Sequence, residues 1–138
     1  ATKIYGAVAL VMAVLTFLVP SITARTLLML PIILGIGTAF NAKPGQSNIV
    51  KALIFIVAMS GTMMSLGVLT AHVGNPITVG LIEAATSKTI SWSDWFRAGA
   101  FPAFTLSAIS VILLRIMWPP EIKSLGDGQS YIERELAA

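Results

Sequence analysis

Charge is what this sequence has least of. Only 11% of its 138 residues are Asp, Glu, Lys or Arg, against about 25% in an ordinary soluble domain. That leaves no polar coat for a water-soluble globule, and 56% hydrophobic residues put the chain in the membrane class. Cysteine is absent, which excludes a disulfide framework and a thiolate metal site. A single histidine, His72, argues against a histidine-rich metal centre. The net charge of +3 is small and scattered, with no basic run interleaved with aromatics, so nucleic acid is not an expected partner. No nucleophile–base pair, metal cluster or phosphate-binding loop is visible, so an enzyme is not expected. The chain opens at Ala1 in an apolar run without a basic leader and closes on Ile132–Leu136 without a cap. This reads as a piece of a longer protein or one structural repeat.

What is present is organised around a polar knot, Pro20-Ser21-Ile22-Thr23-Ala24-Arg25. The apolar arm before it runs from Ile4 to Val19. The arm after it runs from Thr26 to Phe40 and is interrupted by Pro31, Gly35 and Gly37. A spanning helix needs roughly 20 apolar residues, and each arm is shorter. Two short arms meeting at a proline and two hydroxyls predict a re-entrant hairpin over 4–40, with its tip inside the membrane. Backbone that leaves the helix at that depth survives only against protein or a water-filled cavity.

Asn41–Ser47 is a loop, with Ser47 or Asn48 as the cap of the next helix. An interrupted helix is predicted over 49–86. Its first half is rich in small residues (Ala58, Ser60, Gly61, Ser65, Gly67) that permit close helix packing. Its interruption is His72-Val73-Gly74-Asn75-Pro76-Ile77-Thr78, where proline removes a donor and disfavours helix at Asn75. Ser93 and Asp94 read as the cap of a helix beginning near Trp95. A transmembrane helix over 97–118 follows, with Trp95 and Trp118 as interfacial anchors, and 119–138 is a cytoplasmic or interfacial connector. Lys3, Lys43, Lys51, Arg115, Lys123 and Arg134 fall inside and Lys88 and Arg97 outside when the hairpin opens to the cytoplasm, in keeping with the positive-inside rule. Paired Gly/Pro interruptions dressed with Ser, Thr or Asn point to a midplane binding site. Thr23 opens the second arm, so free N–H groups and a positive helix end face the tip. Arg25 lies a turn further on, where a charge at membrane depth costs at least about 2.5 kcal/mol and calls for a partner, either an anion or carbonyl or carboxylate oxygens of the protein. His72 reads as a proton site or as a packed neutral imidazole.

Pro20-Ser21-Ile22-Thr23-Ala24-Arg25-Thr26-Leu27-Leu28-Met29-Leu30-Pro31 resembles the hairpin motif of the divalent anion:sodium symporters, which carry dicarboxylates, citrate or sulfate. The family has Ser-Asn-Thr there, then a Leu-rich arm ending in Leu-Pro. Gly74-Asn75-Pro76 is similar to the family's Gly-Thr/Ser-Pro-Pro-Asn break. Ile90-Ser91-Trp92-Ser93-Asp94-Trp95 through Gly99 and Pro102 is similar to a third motif, and Pro119-Pro120-Glu121-Ile122-Lys123 to the connector after the first half. Ile22 stands where the family has asparagine, and Ile77 and Thr78 where it has Pro and Asn.

The resemblance implies an all-α membrane protein: a re-entrant hairpin, an interrupted transmembrane helix and one further transmembrane helix, half of an inverted-repeat transporter. It implies that Ser21, with backbone oxygens of Ile22 and Gly74, holds a sodium ion. It implies that Thr23, with Asn75 and Pro76, meets a small anionic solute; Arg25 and Thr78 are added as candidates. The implied function is sodium symport of small di- or trivalent anions across the inner cell membrane, by an elevator-like motion in a homodimer whose second repeat lies outside this chain. The alternatives are a proton-coupled or exchange transporter on the same fold, and a structural membrane subunit without a solute site.

Overall fold

The structure is a computed structural model that describes residues 2–40, 42 and 45–120. Its described residues form helices joined by short links: α1 (Thr2–Leu18), α2 (Ile22–Ala39), α3 (Asn48–Gly67), a 3-10 turn (Leu69–Ala71), α4 (Gly74–Thr86) and α5 (Trp92–Met117). The expected all-α class is therefore observed. Three of these helices, α2, α3 and α5, are long and apolar enough to cross a membrane.

The second arm of the hairpin is longer and less broken than expected. It begins at Ile22, capped by Ser21, whose Oγ accepts from Ala24 N–H at 3.3 Å. It then runs unbroken through Pro31, Gly35 and Gly37 to Ala39. A proline inside a helix removes one backbone bond, a loss that neighbouring helices tolerate in an apolar setting. The helix thus gathers Ile22–Arg25 into its first turn and reaches 18 residues. The first arm, at 17 residues, stays shorter than the candidate spans.

Helix α3 is the central element, packed against α1, α2 and α5. Its buried face (Ile49, Ala52, Leu53, Ile56, Val57) joins Tyr5, Val8 and Met12 of α1 and Met29 and Ile33 of α2 in one core. Near the far end of α3 the backbones of α3 and α5 nearly touch. A Cβ on Gly67 would lie 2.8 Å from Ala103 Cβ and 3.1 Å from Ala100 Cα and Gly99 O. Only a residue without a side chain permits that approach. At the opposite end, Tyr5 Oη donates to the Trp118 carbonyl at 3.1 Å, and the Trp118 ring stacks on Phe55 at 4.9 Å. Leu10, Leu18, Phe101 and Ile116 point outward, as they do on a surface not meant for water.

Two boundaries differ from the sequence expectation. Helix α5 begins at Trp92, with Ser91 as its cap and Asp94 completing a capping box. Ser93 is not the cap, because the reciprocal pair needs the hydroxyl three residues ahead of the carboxylate. The interruption ends earlier than His72–Thr78. The chain leaves α3 at Val68, and Gly74, Asn75 and Pro76 form the first turn of α4. Proline fits there because first-turn N–H groups have no intrahelical acceptor. The connector residues 121–138, together with Asn41, Lys43 and Pro44 of the loop, lie outside the described residues.

Candidate functional site

The two interruptions meet. Pro20, Ser21, Ile22 and Thr23 from the hairpin tip, with His72 and Val73 from the second break, line an open cavity of about 420 Å³. No acidic side chain is among them. The tip is open: Ser21 and Thr23 are exposed. Thr16, Thr26, Thr38, Thr62, Thr78 and Thr86 each donate to the carbonyl four residues back. For Thr23 that residue is Val19, outside the helix, and its hydroxyl makes no hydrogen bond among the described residues. Ala24 N–H and Arg25 N–H are taken up by Ser21 Oγ and Ser21 O. The N–H groups of Ile22 and Thr23 have no acceptor among the described residues. An unsatisfied helix start beside a free hydroxyl is a ready acceptor site for negative charge.

The second break is satisfied from several directions. Asn75 is buried, and its Nδ2 donates to the carbonyls of Ser65 at 2.8 Å and Val68 at 2.9 Å. Trp95 Nε1 donates to the Leu66 carbonyl at 3.0 Å. Arg25, fully buried, donates from Nη2 to the Ala71 carbonyl at 3.0 Å and to Ser65 Oγ at 2.5 Å. Its Nε donates to the Ser21 carbonyl at 3.2 Å. Ser65 Oγ in turn donates to the Gly61 carbonyl. One guanidinium therefore ties the hairpin tip to the break, and every contact it makes is to a carbonyl or hydroxyl oxygen. Its Nη1 is buried without a partner among the described residues, so the charge is only partly compensated. Arg25 is joined to the cavity through the carbonyl of Ser21, a lining residue.

The eight residues singled out from sequence thus fall into four groups. Ser21, Ile22 and Thr23 line the cavity. Arg25 and Asn75 are buried and do not line it, occupied with backbone oxygens. Gly74 touches the site through His72: its N–H donates to His72 Nδ1 at 3.1 Å. Pro76 and Thr78 sit exposed on α4 and do not line the cavity. Sequence reasoning missed Trp95 as a carbonyl donor and Ser65 as the relay for Arg25, because their partners are remote in the chain.

The described residues contain no group of three or more His, Cys, Asp or Glu able to hold a metal. The oxygens expected to hold an alkali cation are each already acceptors: the Ser21 carbonyl for Arg25, that of Ile22 for Thr26 Oγ1 and that of Gly74 for Thr78 Oγ1.

Comparison with known proteins gives one consistent family. The family model described as sodium:sulfate symporter transmembrane region matches residues 3–138. The chain is 33% identical over 133 residues to a membrane protein of Cupriavidus necator, covering 96% of this chain and 26% of that protein. It is 29% identical over 128 residues to dicarboxylate transporter 1, chloroplastic, of Spinacia oleracea, covering 90% of this chain and 22% of that protein. It is 30% identical over 124 residues to the L-tartrate/succinate antiporter of Escherichia coli K12, covering 86% of this chain and 25% of that protein. The chain therefore spans about a quarter of the length of these relatives. No solved structure matches it. The apolar helices and the match over 3–138 make this a multi-pass inner membrane protein that belongs to the sodium:sulfate symporter family, the divalent anion:sodium symporters.

Proposed function

We propose that the chain forms one part of a secondary transporter for small dicarboxylate-like anions, and that the cavity between the two interruptions is its share of the anion site. The observation that carries this is the pairing of an exposed, hydrogen-bond-free Thr23 hydroxyl and open N–H groups with a buried, carboxylate-free Arg25 behind them. A dianion entering there meets donors on one side and a partly compensated cation beneath. At low local dielectric each such contact is stronger than in water. Arg25 acts by position and field, while Thr23 acts by contact. Asn75 and Pro76 shape the α4 start, and Thr78 lies beside it. On this reading residues 4–40 are a re-entrant hairpin, 49–86 an interrupted helix, 97–118 a spanning helix and 119–138 a connector. The second inverted repeat supplies the other half of the pocket, and the assembly is a homodimer working by an elevator motion.

The coupling ion is sodium on the first reading, held by Ser21 Oγ and the carbonyls of Ile22 and Gly74 as cargo. Cation binding would order the two breaks and raise anion affinity. A second reading, sodium-independent exchange, is favoured by a specific feature: Arg25 already donates to the Ser21 carbonyl, which opposes a second positive charge there, and Ile22 offers no side-chain oxygen. The antiporters among the relatives fit it as well.

Uptake of radiolabelled succinate, citrate and sulfate into proteoliposomes of the full-length protein, with and without a sodium gradient, separates these. Sodium-driven uptake supports symport. Uptake that needs an internal counter-anion and ignores sodium supports exchange. Absence of flux for all three anions leaves a structural subunit and ends the transport proposal.

A further inference from the structure

We propose that His72 is an anion-contacting residue, donating from Nε2 to a carboxylate oxygen of the bound solute; this rests on the anion-site reading above. Three observations converge. His72 lines the cavity opposite Thr23 and Ser21 as its only ionisable side chain. Its Nδ1 accepts the Gly74 N–H at 3.1 Å. Its Nε2 has no partner among the described residues, although the ring is half-buried.

The chemistry follows from the first hydrogen bond. A neutral imidazole has one donor nitrogen and one acceptor nitrogen, and the bond made by one fixes the other. Because Gly74 N–H points at Nδ1, the lone pair is there and the proton is on Nε2. That leaves an N–H donor presented to a cavity already furnished with the donors of Ile22, Thr23 and the Thr23 hydroxyl. The ring is held in this pose by contact as well as by the hydrogen bond. A Cβ on residue 74 would lie 2.8 Å from His72 Cε1 and 2.9 Å from Nδ1, so glycine there lets the ring lie flat on the start of α4. The arrangement gives a dicarboxylate donors from both interruptions, one wall from each.

Asparagine and glutamine separate the two nitrogens. In His72→Asn the side-chain oxygen can still accept from Gly74 N–H but nothing reaches the cavity as Nε2 does. In His72→Gln the amide N–H reaches the Nε2 position while the Gly74 bond is lost. For full-length protein in proteoliposomes, His72→Asn is expected to raise the KM for succinate roughly ten- to a hundredfold, the scale of a hydrogen bond to a charged group. His72→Gln is expected to raise it several-fold less. An unmoved KM in His72→Asn overturns the proposal, and so do equal losses in both variants. A second measurement needs no variant: diethyl pyrocarbonate modification of His72, followed by mass spectrometry, should be slowed by saturating succinate. An unchanged rate overturns the contact. Thr23→Val in the same assay keeps the two claims apart. If it abolishes uptake while His72→Asn does not shift KM, only the His72 contact falls; if it leaves uptake intact, the anion-site reading falls.

Discussion

The hairpin tip and the α3–α4 break are both interruptions in apolar helices, and they solve the same problem differently. At the tip, one hydroxyl and one carbonyl of Ser21 satisfy the start of α2 locally, and the remaining groups face open space. At the break, the carbonyls of Ser65, Leu66, Val68 and Ala71 are met by side chains from three other places: Asn75 on α4, Trp95 on α5 and Arg25 on α2. Buried carbonyls without donors each cost about 1–3 kcal/mol, so the more buried break recruits donors and the more exposed tip need not. Arg25, Asn75 and Trp95 are therefore committed to carbonyls of the break, while Thr23 at the tip keeps an uncommitted hydroxyl. Ser21 shows both behaviours, capping with one face and lining the cavity with the other.

The contrast is open to substitution. Arg25→Met should have the largest effect on stability. It strands the Ala71 carbonyl, removes the donor to Ser65 Oγ and unties the tip, a loss of about 3 kcal/mol or more from two buried charge-assisted bonds at about 1.5–3 kcal/mol each. The apparent melting temperature of the purified protein would fall further than for any cavity-lining variant. Asn75→Asp should follow, since a carboxylate facing two carbonyls replaces donors with repulsion; a loss of about 2–4 kcal/mol is expected, again by thermal unfolding. Gly67→Val overpacks the α3–α5 crossing and should cost about 1–3 kcal/mol, readable as earlier detergent unfolding. Trp95→Phe keeps the ring but loses the bond to Leu66, for about 1 kcal/mol. Thr23→Val should move stability by no more than about 0.5 kcal/mol and yet weaken anion binding at least roughly tenfold. A destabilisation by Thr23→Val comparable to that of Arg25→Met would erase the distinction between frame and site.

Much of the frame was legible from local signals. The hydroxyls ahead of a Leu-rich run announced a helix start, read at Thr23 and observed at Ile22, and a Gly-Asn-Pro inside an apolar stretch announced an interruption. What sequence did not reveal was how that interruption is satisfied. Arg25 reaches Ser65 and Ala71, which are 40 and 46 residues away in the chain, and no spacing rule connects them. For the same reason the backbone partners of the buried arginine and asparagine could not be named from the sequence. The misplaced cap of α5 had a readable signal, since Ser91 precedes Asp94 by three residues as a capping box requires. Proline misled at residue 76 because it marks either the end of one helix or the first turn of the next, and the sequence around it is apolar on both sides. The cavity, in turn, exists only because the two breaks meet in space.

The most direct test is equilibrium binding of radiolabelled succinate to full-length protein, wild type against Thr23→Val, at matched thermal stability. The expected result is an affinity at least roughly tenfold weaker in Thr23→Val, the scale of one hydrogen bond to a carboxylate, with an unaltered unfolding temperature. Undiminished binding by a normally folded Thr23→Val would mean that the cavity between the two interruptions is not where the anion sits.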